Sequence, residues 1–337
     1  MQSSQSTTLS HNPDAQPPDQ TGNLGDRLAL FYRPELAPPD TLGNYSKSPT
    51  KPRRFVEFLS QTPLWRHVQV IADFEPVTRD DLLLAHTPGH VDGFLRGTRP
   101  RCESNGLVWS PEFRDSVLWS NGSLVAAIDA AIAQPAVVTM APVSGFHHAR
   151  PDSGASFCTF SGQVVAALRT YRRAGVRGAW LDLDGHFGNS IEDSRSFAPD
   201  LSLAIAHSHN VNPGGTGTAY LDDLDKSLAL IRRALLAKEI DYVAFAHGAD
   251  SHMWDQLGRQ CTTAQWLTAA DRVYAMLQEV RRERPVPVTL ALFGGYRDDH
   301  PASVLGLHAM DLQRCLKYLC GTDVDYTAEV RDPHERT

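Results

Sequence analysis

Residues 182–186, DLDGH, are the most informative segment of this chain, and they follow the apolar run GAWL at residues 178–181. That apolar run predicts a buried strand. Because alternate side chains of a strand point the same way, we expect Asp182, Asp184 and His186 to gather at one strand end. Two carboxylates and an imidazole are costly to bury unless a cation or a partner compensates them. The segment therefore predicts a divalent metal site with hydrolytic chemistry; in the alternative interpretation, the aspartates cap the following turn and His186 faces solvent.

Three further polar segments follow or close apolar runs. They are GFHHA at 145–149, HGAD at 247–250 and FGGY at 293–296. In open α/β folds, ligands bind at the carboxyl ends of the strands. We therefore expect these segments to meet the first one at a single edge of a sheet, where they would add a histidine pair, an aspartate and a tyrosine.

Composition narrows the class of protein. The chain has 337 residues, 42% of them hydrophobic, which is sufficient for the core of a large α/β domain. Its net charge is −7, from 32 basic and 39 acidic residues, which argues against a nucleic-acid-binding surface. The basic stretches KPRR at 51–54 and RRER at 281–284 are short, and we interpret both as solvated faces. Five cysteines without paired spacing indicate a reducing compartment.

The apolar pattern predicts strands that alternate with helices, and hence an open, mostly parallel sheet flanked by helices. Strands are predicted over 68–72, 136–140, 178–184, 242–246 and 286–292. Helices are predicted over 82–95 with interruptions at Pro88 and Gly89, and over 116–133, 163–174, 224–237, 263–284 and 303–320. The fold class expected is therefore a single-domain α/β protein.

Three regions are expected along the chain: a disordered segment over 1–26, one catalytic domain over 27–325 and a polar tail over 326–337. The first segment has no basic start followed by an apolar stretch, so it does not predict a secretory signal. No stretch approaches the roughly 20 apolar residues of a membrane span. We therefore expect a cytoplasmic protein without membrane or nucleic-acid partners.

Five motifs follow one another along the chain. They are DDLLLAHT at 80–87, GFHHA at 145–149, DLDGHFGN at 182–189, GADS at 248–251 with Asp255 and Leu257 after it, and GGY at 294–296. From about residue 80 to residue 318, the chain resembles the histone deacetylase and acetylpolyamine amidohydrolase family. The resemblance implies an arginase-like open α/β fold.

The resemblance also assigns roles to residues at matching positions. It implies that Asp184, His186 and Asp250 are zinc ligands, with ferrous iron as the alternative metal. It implies a structural potassium ion at Asp182, with main-chain oxygens of Asp184 and His186. It does not decide whether Ser202 or Ser208 is the potassium-binding serine. Asp182 would also support the first histidine of the pair, and Asn189 would orient the second.

The implied chemistry is metal-assisted hydrolysis of an N-acyl amine, such as acetyl-lysine, an acetylpolyamine or a small metabolite. His148 would take a proton from the attacking water and later protonate the leaving amine. His147 would supply positive charge or a hydrogen bond beside it. Tyr296 would stabilise the tetrahedral oxyanion together with the metal.

The substrate tunnel is expected to include Phe157, Ser156, Asn212 and Leu257, although Phe157 could equally pack in the core. Leu257 stands where some polyamine-selective members carry a glutamate, which weakens a purely polyamine interpretation. Two further departures are Phe187, where many members have a second histidine, and the altered sequence after Cys158, where we expect Ser161 to cap the next helix.

Two other functions were weighed against the deacylase. A dimanganese ureohydrolase of the same fold would need an Asp-x-His-x-Asp run, which the chain lacks. A non-catalytic binding protein would commonly have lost a ligand or the tyrosine, and the chain retains all of them. Formation of a homo-oligomer is left open.

Overall fold

The computed structural model describes residues 27–39, 43–44, 46–297 and 301–331. Its centre is one open sheet of seven parallel strands in the order β2-β1-β3-β7-β6-β4-β5. The strands are β1 (Leu28–Phe31), β2 (Val68–Ile71), β3 (Val138–Ala141), β4 (Gly178–Asp182), β5 (Asn210–Val211), β6 (Tyr242–Ala246) and β7 (Val288–Ala291). The segment 1–26 and the tail from 332 onward lie outside the described residues, so the disorder predicted for the first stays a prediction.

Helices cover both faces of the sheet. They are α1 (Lys51–Ser60), α2 (Arg79–Leu82), α3 (Pro88–Leu95), α4 (Pro111–Ala133), α5 (Gly162–Ala174), α6 (Ser190–Ser194), α7 (Leu201–Ala204), α8 (Thr218–Leu236), α9 (Thr263–Glu283) and α10 (Pro301–Leu319). Alternate strand residues enter two different cores: Leu181 packs with α1, α8, α9 and α10, whereas Trp180 packs with α2 to α5. Burial on both faces explains why the strands are continuous apolar runs rather than alternating ones.

Two strands lie outside the predicted set. The first, β1, is a run of four apolar residues beside β3, and the second, β5, has only two residues. The other strands agree with the apolar pattern, and so do α4, α5, α8, α9 and α10, whereas α1, α6 and α7 were not predicted. The predicted fold class, an open parallel sheet flanked by helices, is therefore confirmed.

Local capping sets several helix ends. The side chain of Ser161 accepts the Val164 N–H at 3.4 Å at the start of α5, as expected, and Gly175 ends that helix with a left-handed φ of 67°. The helical stretch predicted over 82–95 with interruptions at Pro88 and Gly89 is wrong in where the helix breaks. The helix α2 ends at Leu82, and α3 begins at Pro88 and continues through Gly89, because Pro88 lacks an N–H and suits the first position of a helix.

Among the described residues, α4 is long and apolar enough to cross a membrane by length and composition. The expectation that the chain contains no apolar stretch of this length is therefore wrong for α4. The apolar window is 56% buried inside the protein, and α4 packs against β1, β3 and β7. A buried core helix passes the same test, so the finding is weak evidence for a membrane.

The strand order brings the four polar segments together. Strands β3, β7, β6 and β4 are neighbours, and each predicted polar segment follows the carboxyl end of one of them. The loops after these strands therefore converge at one edge of the sheet, which is where parallel α/β folds place their sites.

Candidate metal and catalytic centre

Asp184, His186 and Asp250 form a cluster that could bind a metal ion. One ligand atom from each lies within 4.8 Å of the others. The His186 Nδ1 atom is 3.1 Å from Asp184 Oδ1 and 3.0 Å from Asp250 Oδ2. Both carboxylates are buried and the imidazole is half-buried, so the cluster is reached from one side.

Hydrogen bonds to the backbone occupy one polar atom of each residue, and the other polar atoms of the three side chains face one another. Asp184 Oδ2 accepts the Gly294 N–H at 2.8 Å, and Asp250 Oδ1 accepts the Gly185 N–H at 2.9 Å. His186 Nε2 donates to the Leu257 carbonyl at 3.1 Å, which directs Nδ1 toward the carboxylates. A backbone acceptor of this kind commonly fixes the tautomer of a metal-binding histidine. The donor set and its hydrogen bonds therefore fit a divalent ion.

The charges of the cluster favour a positive group between the two carboxylates. Contacts with Asp184 and Asp250 raise the pKa of His186 to about 10. Burial, together with the charge of Asp184, raises the pKa of Asp250 above its usual range. The two buried carboxylates hold a proton on His186 firmly, and a metal ion in place of that proton would meet the same favourable charges.

The histidine pair follows β3, and its two rings have centroids 4.1 Å apart. His147 Nδ1 donates to Asp182 Oδ2 at 3.0 Å, and His148 Nδ1 donates to Asn189 Oδ1 at 2.8 Å. One imidazole thus has a carboxylate partner and its neighbour has an amide.

These partners give the adjacent histidines opposite protonation states near pH 7. Burial lowers the pKa of His147, but Asp184 and Asp182 outweigh burial and raise that pKa to about 9. Burial, aided by the charge of His147, lowers the pKa of His148 to about 4. A pair of titratable groups whose pKa values are pushed apart is typical of acid–base sites.

Tyr296 reaches the site through a glycine pair after β7. A Cβ atom at Gly294 would lie 2.1 Å from Asp250 Oδ2, so only glycine lets the backbone pass the carboxylates. The Tyr296 N–H donates to Asp255 Oδ2 at 2.8 Å, and its ring centroid is 6.3 Å from that of His186. Burial raises the pKa of the phenol above its usual value, so the hydroxyl stays protonated and can donate.

A narrow void lies beside the cluster and is lined by residues that include His147, Asp184 and Tyr296. Ser156 and Phe157 line it as well, and both have left-handed backbones with φ of 44° and 66°. Such strain in non-glycine residues concentrates at functional sites.

The other two predicted tunnel residues, Asn212 and Leu257, are not among the residues that line this void, and their place in a substrate tunnel stays a prediction. Asn212 is outside the lining of this void, and its Oδ1 accepts the Gly188 N–H at 2.8 Å. Leu257 is also outside the lining and exposes 42% of its surface. Both therefore contact the loop that carries His186 rather than the void.

Lys51 is a buried cation that the sequence analysis interprets wrongly as part of a solvated face. It is 4% exposed, and its Nζ donates to the Phe293 carbonyl just before the glycine pair. Burial, partly offset by Asp250, lowers its pKa to about 8. The signal was its spacing: Lys51, Phe55 and Leu59 are four residues apart, and all three lie on the buried face of α1.

Three histidines near the motifs lie outside the cluster. His207 is exposed and pairs with Glu192, and His209 is half-buried. His252 is buried, and its Nε2 contacts Thr263 Oγ1 at 2.8 Å. None of them lies within the Asp-His-Asp cluster.

Comparison with solved structures shows the class of fold. The HD domain of HDA15 aligns with a TM-score of 0.66 and 16% identity over 88% of this chain and 90% of that chain. An HDAC homolog complexed with SAHA aligns with a TM-score of 0.62 and 20% identity over 88% of this chain and 84% of that chain. The fold is thus the arginase-like fold of deacetylase domains.

Sequence comparison shows the family. The family model described as histone deacetylase domain matches residues 45–227, more than half of the chain. This chain belongs to the histone deacetylase family, and the predicted resemblance is confirmed. The matched range contains the histidine pair, Asp184 and His186, whereas Asp250 and Tyr296 lie beyond it.

Two plant relatives are each 26% identical over 72% of this chain. They are "Histone deacetylase 14, chloroplastic" of Arabidopsis thaliana and "Histone deacetylase 10, chloroplastic" of Oryza sativa subsp. japonica. The chain spans 66% and 62% of their lengths, which is less than two thirds of each. An uncharacterized protein of Picosynechococcus is 26% identical over 64% of this chain and 75% of its own length.

Proposed function

We propose that this protein is a zinc-dependent hydrolase that removes an acyl group, most simply acetyl, from an N-acyl amine. The observation that carries the proposal is the convergence of Asp184, His186 and Asp250 beside a histidine pair with divided protonation. Membership of a family with a deacetylase fold supports the reaction class. Acetyl-lysine, an acetylpolyamine and a small metabolite are the candidate substrates.

Asp184, His186 and Asp250 would hold the metal. Bound zinc supplies Lewis acidity, which polarises an amide carbonyl and makes a water easier to deprotonate. Three protein ligands leave room for water and substrate, as in other catalytic zinc sites. Ferrous iron is the alternative because ligand preferences overlap, and potassium at Asp182 stays a prediction from the resemblance.

The histidine pair divides the proton transfers. His148 is neutral near pH 7, since its pKa is lowered to about 4, so it can accept a proton from the attacking water. It would return that proton to the leaving amine. His147, whose pKa is raised to about 9, stays charged and stabilises negative charge that develops beside it.

Tyr296 would stabilise the tetrahedral oxyanion. Its hydroxyl is protonated, the residue lines the same void as Asp184, and its loop is held by Asp255 and Lys51. A donor fixed before reaction avoids the cost of reorganising solvent around the new charge.

A substrate panel with and without chelator tests the proposal. The purified protein would be assayed on acyl-lysine peptides, acylpolyamines and small N-acetyl compounds, before and after metal removal and zinc addition. We expect turnover that chelator abolishes and zinc restores, with about one zinc per chain by metal analysis. Turnover that survives complete metal removal would contradict the mechanism, and two manganese ions per chain would favour the ureohydrolase.

Matched histidine variants test the acid–base role. We expect His148→Ala to lower kcat by about 10²–10⁴-fold, because it removes the proton acceptor. His209→Ala is the control, since this histidine lies outside the cluster. Equal turnover in the two variants would remove His148 from the proposed chemistry.

Formation of a homo-oligomer and a cytoplasmic location stay proposals, separate from the proposed reaction.

A further inference from the structure

His247 belongs to the HGAD motif, yet the proposed chemistry gives it no role. It directly follows β6, three positions before Asp250, and is 1% exposed. Its Nδ1 donates to Asp311 Oδ1 of α10 at 3.1 Å, and the Tyr274 hydroxyl of α9 donates to Asp311 Oδ2 at 2.9 Å. The imidazole is therefore connected to α9 and α10, two of the four helices that cover this face of the sheet.

A tryptophan connects this imidazole to the ligand loop. The rings of His247 and Trp266 are stacked, with centroids 3.6 Å apart and planes 8° apart. Trp266 Nε1 donates to the Gly248 carbonyl at 3.1 Å, inside a core where Trp266 is fully buried. The stacking thus determines where the indole N–H points.

Gly248 is the point of contact with the carboxylates. A Cβ atom at Gly248 would lie 2.4 Å from Asp250 Oδ1 and 2.9 Å from Asp184 Oδ2. The backbone there is packed against both side chains, so a shift of the Gly248 peptide would alter the distance between the two carboxylates.

Packing alone would not require these polar groups. A buried carboxylate and imidazole are costly unless each is hydrogen-bonded, and apolar side chains would fill the same space without that cost. A connected buried network does, however, impose a single arrangement on the groups it joins. This arrangement runs from Tyr274 through Asp311, His247 and Trp266 to Gly248.

We propose that His247, Asp311 and Trp266 are positioning residues that hold the Gly248 backbone and thereby the spacing of Asp184 and Asp250. The inference rests on the proposed function, because that spacing matters for a bound metal ion. It assigns the three residues no contact with substrate.

Zinc affinity and ligand geometry test the inference without an activity assay. Trp266→Phe keeps an aromatic ring against His247 but removes the donor to Gly248, and Asp311→Asn removes the charge that holds His247. We expect each to weaken zinc binding by about 10-fold, as loss of an outer-shell partner typically does. Zinc dissociation constants would come from competition with a chromophoric chelator, and cobalt substitution would report ligand geometry through its visible absorption bands.

Trp180→Phe is the matched control, since Trp180 is a fully buried tryptophan of the other core. It should lower the Tm of the metal-free protein and leave zinc affinity and the cobalt bands unchanged. If Trp266→Phe also changes only Tm, the residues are merely structural and the inference is overturned; the same holds for Asp311→Asn. Should Asp311→Asn fail to fold, Trp266→Phe decides alone. A wild-type protein that binds no zinc would overturn the proposed function and this inference together.

Discussion

At the scale of single residues, the site depends on which partner each side chain meets. His147 and His148 are neighbours in sequence and have the same chemistry, yet one faces Asp182 and the other Asn189. A carboxylate stabilises the charged imidazole, whereas an amide in a buried setting does not compensate for desolvation. The surrounding groups, which for His147 include the charge of Asp184 as well as that of Asp182, thus set the protonation state of each histidine.

Tyr296→Phe tests the residue proposed to stabilise the oxyanion. We expect kcat to fall by about 10²–10³-fold, because loss of one such donor costs about 3 kcal/mol of barrier. Zinc content should not change, since the tyrosine is not among the three clustered ligands. Steady-state kinetics and metal analysis check both points, with Tyr318→Phe on α10 as the control. Near-normal turnover in Tyr296→Phe would remove it from the mechanism.

At the scale of elements, a short helix begins directly after Asn189, the residue that is hydrogen-bonded to His148. Asn189 directly precedes α6, and Glu192 within α6 binds Arg195 through two contacts of 2.7 Å each. Glu192 also accepts from Asn210 of β5 at 2.9 Å. A helix of five residues has little intrinsic stability, so these contacts hold it against the sheet.

Glu192→Gln should destabilise the protein in a pH-dependent way. The Arg195 hydrogen bonds lower the pKa of Glu192 from 4.5 to about 2, so its contribution is full above pH 4.5 and is lost as pH falls toward 2. We expect a loss of about 1 kcal/mol in the free energy of unfolding at pH 7, after allowance for solvent screening. Urea unfolding at pH 7 and pH 3 measures the difference, which should shrink at the lower pH.

The exposed Glu57 provides the matched control for that experiment. Glu57→Gln should change the unfolding free energy by less than about 0.5 kcal/mol, as is usual for exposed surface positions. A destabilisation in Glu192→Gln that is equal at both pH values would show that the lost contacts do not depend on the charge of the carboxylate.

At the scale of the whole molecule, the sheet would couple the binding of a metal ion to folding. The clustered carboxylates come from loops after β4 and β6, and the Gly294 peptide after β7 binds one of them. The cluster therefore exists only when neighbouring strands are in register. An ion bound there would bind the folded chain and not the unfolded one.

Zinc should accordingly raise the Tm of the metal-free protein. At free zinc of 100 times the dissociation constant, the stabilisation is about 2.7 kcal/mol. Magnesium, which prefers oxygen ligands and retains its waters, should have little effect. Thermal unfolding with each ion measures this, and His186→Ala should abolish the shift. Equal Tm values with zinc and with chelator would contradict a metal site in the folded protein.

Some features of the fold and site were predictable because their signals are local. The apolar run 178–181, the alternation of Asp182, Asp184 and His186, and the capping serine Ser161 each act within a few residues. The convergence of the polar segments was predictable because the carboxyl ends of parallel strands lie at one edge of the sheet. Lys51 was missed because its charge suggested solvent, although its spacing with Phe55 placed it on a buried face.

Local sequence patterns were sufficient for the four strands that carry the site, for the types of ligand that follow them and for the family of the chain, but they did not reveal β1 and β5. The tertiary structure alone decided that Asp311 meets His247, that Lys51 meets the Phe293 carbonyl and that the two adjacent histidines differ in protonation. The physical reason is distance along the chain. Periodicity and capping act between near neighbours, whereas burial and charge at a site depend on groups that only folding brings together.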